Sequence, residues 1–292
     1  MTPLRQKMIE ELQRRNYSQA TIESYVFSVK DFAEYFHKSP DLLGAEEVRR
    51  YQLYLINERK LSAQTIMVRM TALRFFYWKV LKRRDLGFDD IPMPKRTRKN
   101  PVVLSPAEIV RLIEAVMSLM HRTILILLYA TGMRRAELSR LKVSDIDSQR
   151  MVIHIQQGKG RRDRDVPMTP LVLEVLRRYW LHAKPTVYLF PSPCNANELE
   201  KPISSKTVWN SVHEAAVRAG LTKRIGPHTL RHSFATHHIE GGTDLIVLQS
   251  LLGHADLKDT LIYVHLSQHK MREAINPLDR LTLQSTAEDV PS

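Results

Sequence analysis

Cysteine is nearly absent: Cys194 is the only one in 292 residues. One thiol can neither close an internal disulfide nor supply a zinc-finger ligand set, so disulfide scaffolds and Cys-based metal modules are excluded. Long apolar runs are missing as well. The longest, Ile124 to Ala130 (ILILLYA), is far short of the roughly 20 residues that a bilayer span needs. The opening stretch MTPLRQKMIEELQRRN lacks the apolar centre of a secretion signal, so the expectation is a reducing cytoplasm with no membrane partner. No G-x-x-x-x-G-K-[ST] run supports a Walker loop, and no H-E-x-x-H pattern marks a zinc hydrolase. Acidic residues are in deficit: 31 Asp and Glu against 44 Lys and Arg leave a net charge of +13. Such an excess favours an anionic polymer as partner, because Lys and Arg displace counterions condensed on phosphates. What is present in ordinary measure is apolar content, at 43%, enough for a packed interior in about two domains and too much for wholesale disorder.

Residues 2–85 predict about four amphipathic helices in a small bundle. After Ser18, a suitable N-cap, residues Ile22, Tyr25, Val26, Val29, Phe32, Ala33 and Phe36 recur at three- and four-residue intervals, which defines one buried stripe. Ser62 caps a later helix carrying Ile66, Met70, Leu73, Tyr77 and Val80. Between Asp90 and Pro101 the sequence DIPMPKRTRKNP opposes helix and concentrates positive charge, as expected of an extended basic linker. Lys95, Arg96, Arg98 and Lys99 are placed there to track a phosphate backbone.

The second domain begins at Ser105-Pro106-Ala107-Glu108, a capping box with Pro at the first helical position. Its helical start is read as running through Ile124–Ala130 and halting at Thr131-Gly132. The period then changes. Met151–Ile155 (MVIHI) and Asp165–Met168 flank a Gly- and Arg-rich turn, predicting a β-hairpin with a basic tip. Downstream, the sequence predicts a helix from Leu171 to Ala183 and a short strand VYLF at 187–190. A further helix from Ser205 should turn Trp209, Val212 and Ala216 inward. Two more helices are separated by Gly241-Gly242, the second capped by Thr243.

Three segments concentrate chemically capable groups. In TGMRRAEL, Arg134 and Glu137 are three apart on one helical face, a spacing that is common in surface ion pairs and that can also hold a guanidinium in one orientation. At the hairpin tip, Lys159 sits between two glycines with Arg161, Arg162 and Arg164 following; this is either an ordinary basic turn or a close approach to a phosphate. In HTLRHSFATH, His228 and His232 are four apart, and the helices there also suit a helix-turn-helix. With no acidic cluster to complete a site, metal ligation is not expected.

Taken together, Arg134, Lys159, His228-x-x-Arg231, His254 in LLGH and Tyr263 stand in the order and spacing of the tyrosine recombinase (phage integrase) family, which the sequence resembles over nearly its whole length. It is most similar to the Xer-type and mobile-element integrases: 228 − 159 = 69 positions separate Lys159 from His228, with no room for the extra helix typical of integron integrases.

The resemblance implies a mainly α fold with a small antiparallel sheet. Residues 1–88 would form a SAM-like core-binding bundle, 89–103 a basic linker, 104–276 a mixed α+β catalytic domain and 277–292 a tail. It implies a site-specific recombinase that cuts and rejoins duplex DNA through a 3′-phosphotyrosyl intermediate, with neither metal nor other cofactor. Tyr263 would be the nucleophile, and Arg134, Lys159, His228, Arg231 and His254 would serve the phosphate, with Glu137 in support. Arg161 and Arg162 join Lys95, Arg96, Arg98 and Lys99 as DNA-binding residues. The partners implied are double-stranded DNA and three further copies in a homo-tetramer on paired sites, where strands pass through a Holliday junction; a second recombinase or accessory protein is compatible with this. The residues 266–283 are the segment expected to pass to a neighbouring copy. Two alternatives compete: a non-catalytic helix-turn-helix regulator and a type IB topoisomerase.

Overall fold

A computed structural model describes residues 2–83, 91–95, 101–156, 163–192 and 200–266. The chain divides into two compact units between Lys99 and Asn100.

The first unit holds α1 (Pro3–Arg14), α2 (Gln19–Phe36), α3 (Ala45–Asn57) and α4 (Ala63–Phe75). Ser18 and Ser62 cap α2 and α4 by accepting the amides of Thr21 and Thr65, which satisfies donors that a helix start leaves unpaired. The apolar stripes meet: Ile22, Val26, Val29 and Phe32 of α2 pack with Tyr51 and Leu55 of α3 and with Ile66, Met70 and Leu73 of α4. After Phe75 the helix widens into a π-turn, Phe76–Val80, with the Leu81 amide bonded to the Phe76 carbonyl at 3.0 Å. That wider turn keeps Phe76, Tyr77 and Val80 all on the buried side. One polar knot lies among these helices: the Asp31 carboxylate accepts from the Tyr51 hydroxyl and the buried Arg69 guanidinium.

The second unit starts with the expected capping box. Ser105 and Glu108 bond reciprocally to each other's amides at the head of α5 (Pro106–Glu114). The single long helix read from the sequence is instead two, because the chain breaks after Glu114 and restarts under a Ser118 cap as α6 (Leu119–Thr131). Ile124, Leu125, Leu127 and Leu128 of α6 are fully buried, so the ILILLYA run is a core helix covered on most of its circumference. A short α7 (Arg135–Ser139) follows.

The sheet has three antiparallel strands in the order β1 (Ile146–Asp147), β2 (Val152–Ile155), β3 (Arg164–Pro167). Ile153 faces Val166 on the buried side, and His154 pairs with Asp165 on the outer side. The β2–β3 hairpin is the one the sequence predicts. β1 was not foreseen, since two residues are too few to show a period. Met151 belongs to the turn, in the left-handed region at φ 55°.

Beyond the sheet come α8 (Pro170–Ala183), α9 (Ser205–Arg218), α10 (Pro227–Glu240), α11 (Leu245–Leu252) and α12 (Lys258–Leu266). Three expectations need correction here. VYLF is not a strand of the sheet; Tyr188 makes an isolated bridge to Lys142 while Leu189 and Phe190 fill the core. Trp209 is not an inward residue of α9 but is 39% exposed and stacked on His213. Asp244 rather than Thr243 caps α11, accepting the amides of Ile246 and Val247, and Thr243 is bonded to His238. Asp244 is the residue that directly precedes the first helical turn, which is where a cap must be.

Gly132 is a position where both backbone and packing call for glycine. It ends α6 at φ 59°, and a Cβ built there would lie 2.4 Å from Phe234 Cδ1. Gly132→Ala combines a left-handed backbone, costing about 1–2 kcal/mol, with displacement of a buried ring. We expect a thermal midpoint lower by on the order of 10 °C in a melting experiment; a midpoint within 2 °C of the native, about the shift of half a kcal/mol, would contradict that packing.

Candidate active site

Arg231 lies on the second turn of α10 and is only 3% exposed. Its guanidinium donates to the Gly132 carbonyl at 2.5 Å, to the Leu252 carbonyl at 2.7 Å and to His254 Nε2 at 2.9 Å. Both carbonyls belong to helix C-termini, of α6 and α11, where the backbone dipoles leave partial negative charge. The cation is therefore held by the C-terminal ends of two helices other than its own. Burial, and then the charge of Arg134, pulls its pKa down to about 10, so it remains cationic at neutral pH.

Arg134 occupies the N-cap position of α7 in extended backbone. Its Nη1 donates to Glu137 Oε1 at 2.7 Å and its amide to Glu137 Oε2 at 2.8 Å. The i, i+3 spacing is thus used to hold one guanidinium, with Nη2 reaching the Gly253 carbonyl at 3.4 Å. Arg164, which the sequence reading left among the tip arginines without a role, is the second clamp on Glu137. It is buried on β3, donates to both carboxylate oxygens at 2.9 and 3.3 Å, and sends Nε to the Leu251 carbonyl at 2.7 Å. Burial alone would raise the Glu137 pKa; the hydrogen bonds and charge of Arg164, then the Arg134 amide and side chain, overcome it and bring the pKa to about 2. No local pattern announces Arg164, since it lies 27 positions from its partner.

His254 follows α11 and bridges two elements. Nε2 faces the Arg231 guanidinium and Nδ1 faces Thr260 Oγ1 at 2.8 Å. A guanidinium can only donate, so Nε2 is the acceptor and the ring proton sits on Nδ1. Burial and the charges of Arg231, Arg134 and Arg164 hold its pKa near 4.

Tyr263, on α12, is 2% exposed. Its ring lies 6.3 Å from the His254 ring at an interplanar angle of 11°, and its hydroxyl is 3.0 Å from His232 Nδ1. Burial raises the phenol pKa, and the positive charges of Arg231 and Arg134 work against that rise. His228 is exposed, one helical turn before His232, with ring centroids 6.4 Å apart. His232 is engaged with Tyr263, and among the described residues no group of three His, Cys, Asp or Glu could hold a metal ion.

The fold therefore brings Arg134, Glu137, Arg231, His254 and Tyr263 together around the C-terminal ends of α6 and α11, with His228 on the adjoining turn of α10. Lys159, Arg161 and Arg162 at the hairpin tip, Arg96, Arg98 and Lys99 in the linker, and the segment beyond Leu266 lie outside the described residues. Lys95 is described and exposed. No described helix is long and apolar enough to cross a membrane.

Comparison with known proteins places the chain in a family. Residues 102–270 match the Phage integrase family, and residues 4–85 match the phage integrase N-terminal SAM-like domain. The putative integrase/recombinase y4qK of Sinorhizobium fredii is 42% identical over 281 residues, covering 96% of this chain and 90% of the relative. Tyrosine recombinase XerD of Staphylococcus saprophyticus is 33% identical over 247 residues, covering 81% and 83%. Among solved structures, the XerA recombinase is 31% identical, with TM-score 0.53 and coverage of 93% of this chain and 97% of that one. The XerH site-specific recombinase bound to a palindromic difH substrate, a post-cleavage complex, is 25% identical with TM-score 0.71, covering 89% and 80%. With a matched integrase domain over more than half its length and Xer recombinases among its relatives, the chain belongs to the phage integrase family and is a Xer-like tyrosine recombinase, an enzyme of site-specific DNA recombination.

Proposed function

We propose that Tyr263 is the nucleophile of this recombinase, attacking the scissile phosphodiester of duplex DNA to leave a 3′-phosphotyrosyl protein and a free 5′-hydroxyl. The observation that carries this is the placement of one hydroxyl among fixed cations: Tyr263 lies in the field of Arg231 and Arg134, and Arg231 is pinned by three acceptors. Preorganised positive charge is what a phosphorus needs as it becomes five-coordinate and its equatorial oxygens gain charge.

In this reading Arg134 and Arg231 hold the non-bridging oxygens, and Glu137 and Arg164 keep Arg134 in place. His254 has its ring proton turned to Thr260, so it must take up a proton at Nε2 to donate to the phosphate, and an arriving anion favours that uptake. Lys159 protonates the 5′ leaving oxygen, and His228 steadies the phosphate from the next turn of α10. Exchange of one phosphoester for another conserves bond energy, so neither ATP nor a metal is called for.

Residues 1–88 and 104–276 act as the two halves of a clamp on duplex DNA, with residues 89–103 between them and Lys95, Arg96, Arg98, Lys99, Arg161 and Arg162 on phosphates. Four copies on two sites exchange strands in pairs, and residues 266–283 link neighbouring copies.

The test is the polarity of the cut. Incubation with a nicked site should give protein attached to a 3′ end, blocking a 3′ exonuclease, and a 5′ end that polynucleotide kinase labels at once. Attachment at a 5′ end would overturn the reading. A paired-site substrate then separates recombination from topoisomerase action: recombinant joints are expected, and relaxation of supercoils without them would favour the topoisomerase.

A further inference from the structure

The hydroxyl of Tyr263 is held by a residue outside the motif set through which the chain resembles its family. His232, directly after Arg231 on α10, presents Nδ1 to that hydroxyl at 3.0 Å, whereas His228 makes no hydrogen bond to Tyr263 among the described residues. The two rings lie 5.6 Å apart and are tilted by 47°. We propose that His232 is the proton acceptor for Tyr263. As the bond from Tyr263 Oη to phosphorus forms and the bond from phosphorus to O5′ breaks, the hydroxyl proton passes to His232 Nδ1, and Lys159 supplies a separate proton to O5′. On rejoining, the 5′-hydroxyl attacks the phosphotyrosine and gives its proton to Lys159, and His232 returns its proton to Tyr263. The inference rests on Tyr263 being the nucleophile.

The surroundings suit this role. His232 is faced by His228 and Arg231 from its own helix and by Tyr263 from α12. Burial, then His228 and Arg231, hold its pKa near 4, so the ring is neutral and one of its two nitrogens is an acceptor. Tyr263 is faced by His232, Arg231, Arg134 and His254, and by Asp259 on its own helix. A ring so easily deprotonated is a weak base in the resting site. The incoming phosphate raises its proton affinity, and the tyrosine proton becomes acidic as its oxygen bonds to phosphorus, so transfer belongs in the attack itself.

The experiment compares single-turnover cleavage by the native protein and by His232→Gln between pH 7 and 9. Glutamine keeps a hydrogen-bond acceptor of similar reach but is no base. Cleavage should fall about 10²-fold at pH 7, with DNA binding retained, and the gap to the native rate should close by about tenfold per pH unit as solvent hydroxide takes over the role. A substrate with sulfur as the 5′ leaving atom, which departs without protonation, should rescue Lys159→Ala but not His232→Gln. If His232→Gln fails to bind DNA, His232→Asn carries the same comparison. A glutamine or asparagine variant that cleaves at the native rate, or whose deficit is the same at every pH, overturns the proposal. Failure of the underlying reading is distinguishable, because Tyr263→Phe would then still form an adduct.

Discussion

Tyr263→Phe binds its recombination site as the native protein does and forms no covalent complex with it: that is the expected result, and the largest effect of any single atom in this chain. The ring is what packs Tyr263 into the structure, beside Phe234, Ala235, Ile239, Leu248 and Leu252, and phenylalanine fills the same space. What is lost on folding is one hydrogen bond to His232, about 1 kcal/mol, small enough to leave the fold and the DNA-binding surface intact. What is lost in reaction is the proposed nucleophile. Neither neighbouring histidine is placed to substitute, since His254 is committed to Arg231 and Thr260 and His232 faces the missing hydroxyl. Cleavage should fall by about 10⁶-fold or more, toward the uncatalysed level. Gel-shift titration and a denaturing gel of the same samples read the two halves of this prediction. An adduct that the native protein forms and Tyr263→Phe does not is also what separates a recombinase from the regulator of the competing reading, which would form none in either case.

The second large effect is on stability. Glu137 lies between two guanidiniums, one 9% exposed carboxylate side chain holding Arg134 at 2.7 Å and Arg164 at 2.9 Å. Removing it leaves two cations facing each other where water cannot screen them. Breaking a buried pair in this way costs about 3–5 kcal/mol, and Glu137→Ala should lower the melting midpoint of the second unit by on the order of 10 °C. Activity should fall too, because Arg134 loses the oxygens that orient it. The same carboxylate gives a pH signature. Its folded pKa of about 2 is below its ordinary value of 4.5, so the folded state favours the ionised form. The stability it contributes is fully present above about pH 4.5 and drains away as pH falls toward 2. Urea midpoints measured across that window should fall more steeply for the native protein than for Glu137→Gln. Parallel slopes would mean that Glu137 is not the buried, doubly paired carboxylate described here.

Much of this was legible in the sequence because it is local. Ser18, Ser62 and Ser105 each cap a helix within three residues of the amide they accept, and the periodic stripes of α2 and α4 are buried as their spacing predicts. The Arg134–Glu137 pair was visible for the same reason. What escaped depends on the chain folding back. Arg164 meets Glu137 across the hairpin, and His232 meets Tyr263 across 31 positions; neither spacing carries a signal. The HisxxxHis spacing of His228 and His232 raised only the question of a metal, whereas the second ring turns to a tyrosine. VYLF carries Val, Tyr and Phe, which favour pleated backbone, and it does pair with residues 141–143 through the Val187 carbonyl and the Leu189 amide, but as an isolated bridge outside the sheet, with Leu189 and Phe190 filling the core. Trp209 follows the apolar period of α9 but stacks on His213 at the surface, a case in which a polar-edged ring tolerates solvent that a leucine would not.

The central claim is that one tyrosine, held among Arg134, Arg231, His232 and His254, becomes covalently joined to DNA. Its most direct test is to trap the native protein on a nicked recombination site, digest the complex with protease and map the peptide that remains on the DNA by mass spectrometry. The account predicts a single peptide joined through a 3′-phosphate to Tyr263; a linkage to any other residue would contradict it.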